Sequence, residues 1–283
     1  MSDPAQFRLA FDAGGYWSQP VPYTLETLAS RSLHFAPGDI QSRMQLQAPE
    51  VLDLEYTRMM MGFLLFKPVP STIAMIGLGG GSIAKFCFKH LPDTRFRAIE
   101  SNPHIIDLRE QFMIPPDGPR FSVFHEDGAT FLRHPPKQYD VLLIDGYTDK
   151  GLPSQLCSQR FYDHCFAALL PGGILVANLN DESLNFSGYL KRIARSFQGN
   201  GFAVQEQDGF NCIAFARKGV ALEEAVLPAD LAFPDLDTTA RAEMAHAMRR
   251  VSAASRRAAE QAKLKKTMAM PLVRPDDAAG AQW

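Results

Sequence analysis

Four places in this sequence put chemically useful residues at the ends of apolar runs, where a turn presents them. The first is Gly77-Leu78-Gly79-Gly80-Gly81. Glycines at 77, 79 and 81 let a strand turn sharply into a helix while its backbone approaches a ligand closely. Such a loop is informative only between a strand and a helix, and here Ile73–Ile76 precedes it and the helical run Ser82–Leu91 follows. The second is Glu100, about twenty residues further on, where a carboxylate accepts both hydroxyls of a ribose. The third is Asp127, followed by Gly128. Its side chain suits the exocyclic amine of adenine, and it is also a good helix N-cap. Both roles are compatible. Together these residues predict a nucleoside-binding domain for S-adenosylmethionine or its decarboxylated form.

The fourth place is the segment Asp145-Gly146-Tyr147-Thr148-Asp149. Two carboxylates and a phenol in one loop suit a cationic substrate and disfavour nucleotides and acyl groups. An amine attacking the carbon beside a sulfonium fits both halves of the pattern. Deprotonating an alkyl ammonium with a pKa near 10.4 costs about 4–5 kcal/mol at pH 7. An Asp of ordinary pKa is a weak base for that step. Asp145 is therefore expected to position the amine, stabilise developing positive charge and receive the proton. Proximity supplies the rest.

The elements that must hold these residues read as an alternation. Apolar strands are predicted at 73–76, 96–99, 121–124, 141–144 and 174–177, with a closing antiparallel pair at 204–205 and 212–216. Helices are predicted at 49–66, 82–91, 103–112, 128–134, 159–170 and 186–197. Continuous apolar strands between helices predict a doubly wound, Rossmann-like parallel sheet, with ligands at the carboxyl ends of its strands. Ahead of it, the short runs Phe7–Phe11, Tyr23–Leu28 and Arg31–Phe35, broken by Gly and Pro, predict a small β-rich domain. The expected division is residues 1–48, 49–219 and 220–283, the last a basic helical extension over 235–266 with a tail. That helix is expected at the periphery, with one face in solvent.

Composition narrows the class. A formal charge of -2 gives no global attraction to nucleic acid. No run approaches eighteen apolar residues, which excludes an ordinary membrane span, and residues 1–20 lack a secretory pattern. Cys87, Cys157, Cys165 and Cys212 are scattered without metal-ligand spacing, so buried free thiols in a cytoplasmic protein are expected, and no metal.

From about Ile40 to Leu179 the chain resembles the spermidine synthase (polyamine aminopropyltransferase) family, in its divergent bacterial members. The resemblance is carried by Gln41, Tyr56, the loop Ile76–Gly81, Ile99-Glu100, Glu126-Asp127-Gly128, Tyr139-Asp140-Val141, Asp145 with Asp149 and Gly151, Phe161-Tyr162 and Pro171-Gly172-Gly173. It implies an N-terminal β domain, a homodimer, and transfer of an aminopropyl group from decarboxylated S-adenosylmethionine to an amine. By resemblance Glu100 binds ribose, Asp127 binds adenine and Asp145 is catalytic. Tyr56 and Asp149 then hold the amine, and Gln41 lines the same cleft. Met75 occupies the position where methyltransferases often carry an acidic residue.

The chain departs from the family at three positions. The family's Asp within the glycine loop is Gly80, the second acidic slot after the fourth strand is Thr148, and the Gln after the Tyr at 56 is Thr57. Each change removes a contact to a cation. Gly80 is expected to leave room for the carboxylate of intact S-adenosylmethionine. This keeps a methyltransferase, or a non-catalytic nucleoside-binding relative, as alternatives.

Overall fold

The computed structural model describes residues 19–38, 40–148, 150–180, 183–207, 209, 211–219, 221, 233 and 235–269. The run Phe7–Phe11, Asp149 and the tail after 269 lie outside the described residues.

The chain begins with a three-stranded antiparallel sheet, β1 (Tyr23–Glu26), β2 (Ser30–His34) and β3 (Ile40–Gln45), in that order. The first two strands match the predicted runs, and the third is new. Its Ser42 and Met44 are buried while the residues between are not, the period-2 pattern of a half-buried strand.

Seven strands form the second sheet: β4 (Thr72–Ile76), β5 (Arg95–Glu100), β6 (Phe121–His125), β7 (Tyr139–Ile144), β8 (Leu169–Asn180), β9 (Gly201–Gln205) and β10 (Asn211–Arg217). Their order is β6-β5-β4-β7-β8-β10-β9. The first five are mutually parallel, and β10 runs antiparallel between β8 and β9. The chain winds outward from β4 through β5 to β6, then returns to β7 on the other side of β4. The β4/β7 boundary is thus the topological switch point, where such sheets bind ligands.

Both faces are covered. On one face lie α1 (Glu55–Met60), α2 (Ser82–His90) and α7 (Thr238–Ala269), which share a core of Met59, Met60, Phe63, Phe86, Met248 and Val251. On the other lie α4 (Gly128–Arg133), α5 (Gln159–Ala168) and α6 (Phe186–Ser196), around Phe131, Phe161, Tyr162 and Ile193. The short α3 (Pro103–Ile106) follows β5.

Three expectations are corrected. The helix predicted over 49–66 begins only at Glu55, is α-helical to Met60 and tightens at Met61–Leu65 into a 3-10 turn. Here Gly62 lies against α7: a Cβ on Gly62 would stand 2.8 Å from Val251 Cγ1 and 3.0 Å from Phe215 Cζ. The helix predicted over 103–112 stops at Ile106 and continues as turns. Lys85 Nζ donates to the Phe112 carbonyl at 2.8 Å and Arg31 to that of Gln111, so side chains from elsewhere satisfy these groups. The basic C-terminal helix is part of the core. Ala240, Met244, Ala247, Met248, Val251 and Ala254 form a buried stripe at helical spacing, and Arg58 pairs with Glu243 at 3.1 Å. Arg250 also turns inward, pairing with Glu55 on α1 and donating to the Gln205 carbonyl.

Candidate active site

A cavity of about 870 Å³ opens at the carboxyl ends of β4, β5, β7 and β8 and is roofed by the N-terminal sheet. Gly77, Gly79, Glu100, Asp127, Gly128, Asp145, Tyr147, Gln41 and Tyr56 all contribute to its wall. Nine residues singled out from the sequence, spread from 41 to 147, therefore meet in one space.

The glycine loop closes on its neighbours in stages. Gly77 has φ 95°, and its N–H donates to the Ile99 carbonyl at 2.8 Å. A Cβ there would lie 2.2 Å from the Asp145 carbonyl oxygen, so no other residue fits. Gly81 does not line the cavity. It ends the loop at φ 67° beneath Ile114 and starts α2. Gly128 plays a similar role, since a Cβ there would meet Ile76 Cγ2 at 2.3 Å.

Glu100 is 9% exposed and ends β5. Its Oε2 accepts from Leu78 N at 2.9 Å and its Oε1 from Asn102 N at 2.8 Å. Burial pushes its carboxyl above the usual range, and the backbone N–H groups pull it part of the way back. Asp127 caps α4 by accepting from Thr130 N at 2.8 Å while it borders the cavity, so the cap does not remove it from the cavity wall.

Asp145 lies just past β7, where its side chain meets α1. Asn178 Nδ2 donates to its Oδ1 at 2.9 Å, and Tyr56 is its second hydrogen-bond partner. Burial raises its pKa, and these two bonds oppose the rise. The Tyr56 phenol is raised well above its usual range, first by burial and then by the carboxylate beside it. Its hydroxyl lies 3.4 Å from the Gln41 carbonyl, linking α1 to β3. Tyr147 donates to the Asn178 carbonyl oxygen at 3.1 Å, and its phenol is likewise raised by burial and by Asp145. Both phenols stay protonated near neutral pH and act as donors.

Sequence reasoning missed Asn178, Ser42 and Ser82. Asn178 obeys the rule that found Asp145, a polar residue at the carboxyl end of an apolar strand, but the predicted strand stopped one residue short, at Ala177. Ser42 comes from the unpredicted β3. Its Oγ is 3.3 Å from Ser82 Oγ, and both line the cavity beside the glycine loop. The room expected beside Gly80 is filled: a Cβ there would lie 2.6 Å from Ser42 Oγ and 2.8 Å from Phe112 Cδ1.

Fold and cavity together define a Rossmann-like domain of the methyltransferase type with a small β-sheet over its ligand cleft. Residues 53–205 match the spermine/spermidine synthase domain, and the chain belongs to that family. It is 36% identical over 170 residues to a polyamine aminopropyltransferase from Chromobacterium violaceum. The match covers 60% of this chain and 65% of that relative, just under two thirds of its length. Among solved structures, a probable spermidine synthase from Corynebacterium glutamicum superposes with TM-score 0.62 at 21% identity, over 69% of this chain and 76% of that one. Human methyltransferase-like protein 13, solved with SAH, superposes with TM-score 0.54 at 22% identity, over 70% and 92% of the two chains. These likenesses establish the fold. Among the described residues no helix is long and apolar enough to cross a membrane.

Proposed function

We propose that this protein transfers the aminopropyl group of decarboxylated S-adenosylmethionine to a small-molecule amine, releasing 5′-methylthioadenosine. The observation that carries this reading is Asp145, held by Asn178 and Tyr56 in the same cavity as Glu100 and the glycine loop. The relatives named polyamine aminopropyltransferase support it.

In this reading the Gly77–Gly79 backbone and Glu100 hold the ribose end of the donor. Asp127 takes the adenine amine, and Gly81 and Gly128 let the surrounding turns close. Tyr56, Gln41 and Tyr147 surround the acceptor, and family resemblance assigns Asp149 to the same task. The amine nitrogen attacks the methylene carbon next to sulfur, the new C–N bond forms as the C–S bond breaks, and the electron pair leaves with sulfur as a neutral thioether. Asp145 orients the amine and takes its proton. Its raised pKa makes it a better base than an exposed Asp, at the cost of ionisation at low pH. The reading needs no metal and includes a homodimer in the cytoplasm, which sedimentation and fractionation test.

Purified protein given putrescine and decarboxylated donor is expected to release methylthioadenosine, and Asp145→Asn is expected to reduce the rate about 100-fold or more. No release with putrescine, cadaverine or spermidine would sink the proposal. Methyl transfer from intact S-adenosylmethionine is the second reading. The Ser42 and Ser82 hydroxyls beside the glycine loop favour it, since they can donate to a donor carboxylate. Methylated amine in place of methylthioadenosine would establish it.

A further inference from the structure

Asn178 does something at this site that its neighbours do not. It lies near the end of β8, 3% exposed, one position past the apolar run 174–177. An amide has two ways to face a carboxylate, and only one avoids setting oxygen against oxygen. Asn178 adopts that one, with Nδ2 2.9 Å from Asp145 Oδ1. The consequence is that its own Oδ1 has no hydrogen-bond partner among the described residues, although the atom is buried. A buried acceptor left empty is costly and uncommon in folded proteins. Apolar neighbours of the same shape would remove the cost, yet an amide stands at a cavity wall against the carboxylate that meets α1. The backbone carbonyl of the same residue is occupied by Tyr147 Oη, so Asn178 is fixed from both ends.

We propose that Asn178 is a positioning residue of the amine site, whose amide N–H fixes the orientation of the Asp145 carboxylate and whose unpartnered carbonyl receives a hydrogen of the incoming amine. The second half of this statement rests on the amine-transfer reading above, and the first half does not. With Oδ1 of Asp145 tied to Asn178, the carboxylate cannot rotate freely, and the amine meets it in one geometry. The carbonyl beside it then supplies a second acceptor, so two hydrogens of the nitrogen are directed away from the attacking lone pair. The titratable groups around Asp145 are Tyr56 from α1, Tyr147 on its own loop, Glu206 just past β9 (which accepts from Tyr56 N at 3.2 Å) and Lys150 at the cavity wall.

Two variants separate the two halves. Asn178→Asp keeps the shape and an acceptor oxygen but replaces the donor with a like charge. Asn178→Leu keeps the volume and removes both groups. The Asp145 carboxyl is followed by carbon-13 NMR titration in the full chain without substrate, which needs no turnover. Removing a donor to the charged form is expected to move its midpoint upward in both variants, by about one pH unit or more. The acid limb of kcat/KM is expected to move the same way. The KM for the amine is expected to rise roughly tenfold in Asn178→Leu and less in Asn178→Asp, which retains the acceptor. An Asp145 midpoint unchanged in both variants overturns the positioning role, whether or not the wild type turns over an amine. A shifted midpoint with equal KM in all three proteins overturns the carbonyl's role alone. Failure of the wild type to use any amine overturns the amine-transfer reading and the carbonyl's role with it, while a shifted midpoint still upholds the positioning role.

Discussion

The backbone N–H of Leu78 donates to Oε2 of Glu100 across 2.9 Å, tying the glycine loop after β4 to the end of β5. The carboxylate therefore holds the loop's shape without any ligand, and in the proposed reading it also faces the donor's ribose. Asn102 N fills the other oxygen at 2.8 Å. Glu100→Gln would set an amide N–H against one of these two backbone donors. Charge-assisted hydrogen bonds contribute about 1.5–3 kcal/mol each. The affinity for methylthioadenosine, measured by calorimetry, is expected to fall about 10–100-fold, with a lower melting temperature even without ligand. Unchanged affinity would show that Glu100 serves the loop alone.

Lys85, on α2 behind the glycine loop, is 4% exposed, and its Nζ donates to the Phe112 carbonyl at 2.8 Å. Burial lowers its pKa from 10.5 to about 7, against a weaker opposing pull from Glu50. A lowered lysine pKa means that the unfolded chain binds this proton more strongly than the folded chain. Its contribution to stability is present above the unfolded pKa and is lost as pH falls toward 7, at about 1.4 kcal/mol for each pH unit between the two values. Glu100 and Asp145 act differently: their raised pKa values favour the folded state at low pH, and that contribution is lost as pH rises through their folded values. The lysine's window therefore lies between about 7 and 10.5. Thermal unfolding is expected to show stability rising through that window in the wild type, and rising much less in Lys85→Met. Parallel profiles for the two proteins would mean that the ammonium is not desolvated in the folded state.

The parallel sheet was legible because each of its strands is an unbroken apolar run flanked by turn residues, and a buried parallel strand needs that. The ends of those runs exposed Glu100, Asp127 and Asp145 by position alone. Tyr56 and Gln41 were not legible that way. They reach the cavity from an irregular helix and from a strand of the small sheet, and only resemblance to a family drew attention to them. The shortness of α1 and α3 was also hidden. Their apolar spacing is helical, but Gly62 yields to Val251 in one and Lys85 captures the Phe112 carbonyl beyond the other. Both are contacts made across long stretches of chain. The long basic helix misled for a related reason: its exterior charges dominate the composition, while Met244, Met248 and Val251 do the anchoring.

That anchoring gives a prediction about stability. A Cβ on Gly62 would lie 2.8 Å from Val251 Cγ1, closer than carbon atoms approach. Gly62→Ala is expected to destabilise by about 1–3 kcal/mol through overpacking, although alanine is the better helix former. Val251→Ala alone leaves a cavity and also destabilises. In the double variant the new methyl group enters the vacated space, so the combined loss should be smaller than the sum of the single losses. Urea denaturation of the four proteins measures this coupling. Strict additivity would mean that the two helices shift apart instead.

Gly80 is crowded in the same way as Gly62, here beside the cavity. Ser42 Oγ would lie 2.6 Å from a Cβ on Gly80, and the Phe112 ring 2.8 Å away closes the other side. Gly80→Asp therefore has to displace a serine and an aromatic ring before its carboxylate can face the cavity. Alone, the substitution is expected to weaken both intact and decarboxylated S-adenosylmethionine, because the loop that holds the ribose moves with it. Adding Ser42→Gly vacates the nearer obstacle and lets the carboxylate turn toward the cleft. There it would attract the bare ammonium of the decarboxylated donor and repel the carboxylate of the intact one. The double variant is expected to shift the ratio of the two affinities at least about tenfold toward the decarboxylated donor, which corresponds to about 1.4 kcal/mol. Competition calorimetry with both donors measures it. A ratio equal to that of the wild type would mean that the donor's tail does not run past Gly80 and Ser42.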